Sequence, residues 1–83
     1  MRSTDTRVEL QGPIQSITGA DPNQVVRILG VDVDTTAISF RDTDDSAITR
    51  AAFFAKAVVG KLVKARGSLS GSIVTWSEME LED

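Results

Sequence analysis

Residues 7–17, RVELQGPIQSI, decide the fold. Arg7-Val8-Glu9-Leu10-Gln11 alternates polar and apolar, the period-two signature of a strand with one face in a core. Ile14 keeps the phase of Val8 and Leu10 across Gly12-Pro13, and Ile17 breaks it. Proline has no amide proton to give a ladder, so Pro13 belongs on a sheet edge or at a bulge. The stretch predicts one long strand, bulged and bent.

Outward from it, Thr18 to Asn23 is a turn cluster by composition. Gln24 to Asp34 predicts a second strand, with Val26 and Ile28 on one face, Val31 and Val33 on the other, and Gly30 as the kink between them. A third strand spans Thr36–Arg41 with Ile38 and Phe40 inward, and the turn before it falls near Asp34-Thr35. Asp42 to Ser46 is a loop ending in N-cap residues, followed by a helical period over Ala47–Val59. On that wheel Ile48, Ala51, Ala52, Ala55, Val58 and Val59 form the core stripe, with Asp44 and Asp45 at the positive end of the helix and Gly60 stopping it. Lys61–Gly67 is a fourth strand, Ser68–Ser72 a hairpin loop and Ile73–Leu81 a fifth strand. The predicted fold is mainly β: a small OB-like five-stranded barrel with one helix between strands three and four. Residues 1–6 are expected to form a flexible N-terminus and 7–83 a single domain.

The chain has 83 residues, 41% hydrophobic and 25% charged, an ordinary globular composition. It holds no cysteine and no histidine. Disulfides, thiolate nucleophiles and the commonest general base and metal ligand are therefore excluded. No enzyme, cofactor or metal centre is expected. No apolar run is long enough for a signal peptide or a membrane span.

The C-terminal segment AAFFAKAVVGKLVKARGSLSGSIVTWSEMELED resembles a widespread bacterial domain family of unknown function. Val59-Gly60, Leu62-Val63, Gly67 and the closing Met79 to Asp83 take the places of the family's strand motif, and Val8, Glu9, Gly12 and Ile17 those of its opening. The resemblance implies an OB-like barrel acting as a non-catalytic binding or spacer module of a periplasmic or cell-envelope protein. It supplies no catalytic residues. Trp76 departs from the small residue usual there.

Net charge is −3, unevenly spread. Residues 46–77 carry five bases (Arg50, Lys56, Lys61, Lys64, Arg66) and no acid, whereas Glu78, Glu80, Glu82 and Asp83 end the chain. Either the block meets a phosphate-bearing partner, or the acidic tail neutralises it in space; the second is the expectation. A single-stranded nucleic-acid-binding OB domain is the alternative function, with Arg27, Arg41 and the loop residue Ser70 as its ligand face. One aromatic platform and a negative overall charge argue against it. Asp32, Asp34, Asp42, Asp44 and Asp45 lack the glycine and glutamate spacing of a calcium loop, so capping and turn roles are expected. Phe53 falls opposite the predicted apolar stripe, near Arg50. With Lys56 and Trp76 these residues make the expected partner surface, toward a second copy or a neighbouring domain.

Overall fold

β1 is the 13-residue strand Thr6–Thr18, and it uses its two halves differently. Thr6–Pro13 pairs antiparallel with β6 (Leu62–Ser70), whereas Ile14–Thr18 pairs with β2 (Val25–Ile28). The register slips between Ile14 and Ser16, so the expected bulge is present. Pro13 lies where the strand changes partners rather than on a sheet edge, which corrects one of its two expected places. A residue with no N–H is tolerated there because one ladder ends as the other begins. The computed structural model describes residues 6–82. The flexible segment expected over 1–6 lies outside the described residues except for Thr6, as does Asp83.

The remaining elements are β3 (Val31–Asp34), β4 (Ser39–Arg41), β5 (Ala47–Ile48), α1 (Arg50–Lys56) and β7 (Ile73–Leu81). One seven-stranded sheet runs in the order β3-β2-β1-β6-β7-β4-β5, with β4 parallel to β7 and the other pairs antiparallel. The chain is mainly β, as expected. The five-stranded barrel is corrected: the sheet has seven strands, and among the described residues no ladder joins β3 to β5, its two ends.

The extra strands have local causes. The expected second strand is a hairpin, with Ile28 opposite Val31 and a two-residue loop, Leu29-Gly30, between them. Both loop residues have positive φ, 50° and 79°, the geometry of a type I′ turn that matches strand twist. Gly30 is thus a turn residue, not a kink. Val33 is buried and Val31 exposed, so only Val33 joins the core. The chain then leaves the sheet over Thr35–Ile38 and returns as β4, so the turn placed near Asp34-Thr35 is that wider connection.

α1 is shorter than its periodicity promised and lies between β5 and β6. Ala47-Ile48 pairs with β4, Phe40 opposite Ile48, and the helix begins after Thr49. The Thr49 hydroxyl caps it, accepting the Ala52 amide at 3.1 Å. Asp44 and Asp45 therefore do not cap the helix; they form the β4–β5 turn, where Asp44 accepts from the Ser46 amide and hydroxyl. The helix ends at Lys56, and Gly60 instead gives its amide to the Ile14 carbonyl at 2.8 Å.

The buried face is also the other one. Phe53 and Ala57 are buried, while Ala51, Ala52, Ala55, Val58 and Val59 are exposed. The stripe counted methyl groups, but one phenylalanine removes far more apolar area from water than several alanines do. Phe53 packs 4.6 Å from Phe40 and 5.1 Å from Phe54, centroid to centroid. Ile14, Ile28, Val63, Met79 and Leu81 complete this core from the sheet.

Candidate functional site

The expected partner surface does not assemble. Phe53 is fully buried, and Arg50 is a hydrogen-bonded clamp over its neighbour Phe40 rather than a surface cation. The Arg50 guanidinium lies 4.9 Å over the Phe40 ring and donates to Gln24 Oε1 and Thr35 Oγ1, both at 2.9 Å, and to the Thr35 carbonyl. Thr35, fully buried, also donates its hydroxyl to the Gln24 carbonyl at 2.6 Å. Lys56 is exposed and pairs with Asp42 at 2.7 Å. Trp76 is half-buried at the core's margin, so with exposed Lys56 it is what the four residues leave at the surface. Nothing in the sequence pattern marks Gln24 and Thr35 as partners of Arg50, because they lie 26 and 15 residues away.

The expected ligand face is dispersed too. Arg27 pairs with Asp32 across the β2–β3 hairpin at 3.0 Å, Arg41 lies on β4, and Ser70 ends β6 at the far hairpin. The loop predicted over 68–72 is only Gly71-Ser72, since Ser70 pairs with Ile73.

Arg41 belongs to a row of charges that crosses the outer face of four strands. Glu9 on β1 faces Arg66 on β6 at 3.7 Å, Arg66 meets Glu78 on β7 at 2.9 Å, and Glu78 accepts from Arg41 Nε at 2.9 Å. Arg66 also reaches Glu80 at 3.7 Å, and Lys64 reaches Glu82 at 3.4 Å. The acid-free block and the acidic tail therefore meet as adjacent antiparallel strands, with Arg66 opposite Glu78 and Lys64 opposite Glu80. A broad cleft of about 680 Å³ overlies this row, but its walls carry both signs.

The two central carboxylates titrate in opposite directions. The hydrogen bond from Arg41, with Arg66 beside it, holds Glu78 below the usual carboxylate range despite partial burial. Burial raises Glu80, helped by Glu82 and Asp45 and opposed by Arg66 and Lys64. Glu78 thus stabilises the fold above its unfolded value near 4.5, and that contribution is lost as pH falls through its lowered folded value. Ionised Glu80 does the reverse: its cost is absent below about 4.5 and complete above its raised folded value. Thermal melts should therefore show Glu78→Gln lowering Tm at pH 7 and Glu80→Gln raising it, each by about 2–5 °C. Both differences should fade in acid.

Among the described residues no cluster of three or more acidic side chains is arranged to hold a metal ion. The candidate aspartates serve turns and pairs: Asp34 accepts from Thr36, Asp32 from Arg27 and Asp42 from Lys56. No helix of the described residues is long and apolar enough to cross a membrane.

What remains unspent is backbone. β4 pairs with β7 only from Glu78 to Glu80, so Ile73–Trp76 has β6 on one side and, among the described residues, no strand on the other. Gly67 sets this segment off. A Cβ at Gly67 would strike the Thr75 carbonyl and lie 2.9 Å from Trp76 Cα, so only glycine permits the bulge that leaves Ser77 unpaired. Beyond the bulge this stretch of β7 runs back to the Gly71-Ser72 turn, in a molecule 42 Å long and 25 by 22 Å across. Val74 (38% exposed) and Ile73 (69% exposed) lie on it. A groove of about 210 Å³ separates Val74, Thr75 and Trp76 from Asp34, Thr36 and Ala37. Period-two alternation predicts that 73–76 is a strand; it says nothing about which side goes unpaired. Compared with known proteins, the chain matches no family model, no curated protein and no solved structure.

Proposed function

We propose that this domain is a non-catalytic binding module built on an opened OB-like sheet, and that it engages partners along the free edge of β7. Three features support the OB-like reading: β1 serves β2 with one half and β6 with the other, β4 runs parallel beside β7, and β3 leads into β4 across a four-residue connection. The motif resemblance supports a place in a bacterial cell-envelope protein. The observation that carries the binding role is the contrast between spent charges and unspent backbone. Arg27, Arg41, Arg50, Lys56, Lys64 and Arg66 each hold a carboxylate or a hydrogen-bonded clamp, whereas Ile73–Trp76 offers an edge with no strand paired to it among the described residues, across a groove from Asp34, Thr36 and Ala37. An edge of this kind recognises an extended chain through main-chain hydrogen bonds.

A short uncharged Val/Thr-rich peptide titrated into the ¹⁵N-labelled domain should shift amides of Ile73–Trp76 and Asp34–Ala37. Shifts confined to the Glu9–Arg66–Glu78–Arg41 row, or none, would overturn the reading. The nucleic-acid alternative has its own test. Phe40 is buried and Arg27 and Arg41 are paired, so a labelled single-stranded oligonucleotide should show no anisotropy change even at low salt.

A further inference from the structure

We propose that the parallel joint between β4 and β7 is a pH-sensitive latch, closed most firmly in mildly acidic solution and looser on either side of it. The joint is short. Ser39 pairs with Glu78, Phe40 with Met79 and Arg41 with Glu80, and among the described residues this ladder alone ties β4 and β5 to the rest of the sheet. Phe40 and Met79 face the core, which puts Arg41, Glu80 and Lys64 in one row of the outer face and Ser39, Glu78 and Arg66 in the next.

The charges in these rows do not balance. Arg41, Lys64 and Arg66 face Glu9, Asp45, Glu78, Glu80 and Glu82. Glu78 is the well-served carboxylate: Oε1 accepts from Arg41 and Oε2 from Arg66, both at 2.9 Å. Arg41 also donates to the Asp45 carbonyl at 2.8 Å, so it bolts β7 to the β4–β5 turn. Lys64 is drawn to Glu82, Glu9 meets Arg66, and Asp42 of the same turn is paired with Lys56. Glu80 is left with Arg66 at 3.7 Å, beyond hydrogen-bond distance, although its side chain is only 11% exposed. A carboxylate so buried and so thinly paired is costly when ionised.

Opening the joint acts on the two carboxylates in opposite senses. It takes Asp45 away from Glu80 and admits water, while Lys64 and Arg66 stay beside it on β6, so ionised Glu80 favours the open joint. It pulls Arg41 off Glu78, so ionised Glu78 favours the closed one. Burial, Glu82 and Asp45 hold Glu80 above the ordinary value of 4.5, and the hydrogen bond from Arg41 holds Glu78 below it. Between those two values Glu78 is charged and Glu80 protonated, and both states favour closure. Above that window Glu80 ionises and loosens the joint; below it Glu78 takes a proton and the bolt is lost.

Amide hydrogen exchange of the wild-type domain, followed by NMR from about pH 3.5 to about pH 7.5 and divided by the intrinsic rate, gives opening constants residue by residue. At Ser39–Arg41 the constant should pass through a minimum in mild acid and rise about threefold or more toward each end. It should also exceed, throughout, that of the β1–β6 ladder at Val8–Leu10. Glu80→Gln should erase the rise toward neutral pH and keep the acid one. Glu78→Gln should leave the joint loose and erase the acid rise. A constant that is flat with pH, a joint that opens no more readily than the β1–β6 ladder, or a neutral rise that survives Glu80→Gln overturns the proposal.

Discussion

Phe53→Ala should cost about 3–5 kcal/mol, as truncation of a fully buried aromatic does in a close-packed core. The domain has little to lose. At about 0.05–0.15 kcal/mol per residue, a chain of this length has a total stability of about 4–12 kcal/mol. Phe53 has no exposed surface, and it stacks with Phe40 and Phe54 where α1 covers the sheet. α1 is seven residues long, too short to persist without tertiary contacts. Removing its one fully buried ring should therefore release the whole helix. Urea titration by circular dichroism should show the midpoint collapse for Phe53→Ala, with Phe53→Leu retaining most of it. A loss below about 1 kcal/mol would place the ring on the surface, where such truncations cost little.

Arg50→Ala should be the second most damaging change, at about 2–3 kcal/mol. The guanidinium ties α1 to Gln24, to Thr35 and to the ring of Phe40, and thereby pins the connection that leaves β3. Its removal strands the Thr35 carbonyl and Gln24 side chain beside a buried threonine. Among the described residues no buried side-chain polar atom now lacks a partner, so this variant would create a defect where none exists. Lysine cannot supply the planar fork, so Arg50→Lys should recover less than half of the loss. Denaturant titration measures the energy. Hydrogen exchange at the Thr35 amide, bonded to the Gln24 carbonyl at 3.1 Å, reports whether that connection has come loose.

The helix shows how a correct periodicity can select the wrong face. Ala51, Ala52 and Ala55 outnumber Phe53, and a wheel that counts apolar residues follows the majority. Weighting by buried area would have favoured Phe53, and the i, i+4 pair with Ala57 was available in the sequence as support. Gly30 offers the complementary case. A glycine between two Val-rich runs fits a kink or a two-residue turn equally well, and only the pairing of Ile28 with Val31 decides for the turn.

Alternation along β1, the bulge after Pro13, the inward Phe40, the hairpin from Leu62 to Leu81 and the meeting of basic block with acidic tail are legible in the chain itself. They depend on spacings of a few residues, or on two strands joined by a tight turn. The break of the sheet between β3 and β4, the clamp of Arg50 on Gln24 and Thr35, and the one side of β7 left without a neighbour are decided by the tertiary structure. Each needs residues 15 to 40 positions apart to arrive together, and which of them meet depends on how far the whole sheet curls before its hydrogen bonds run out.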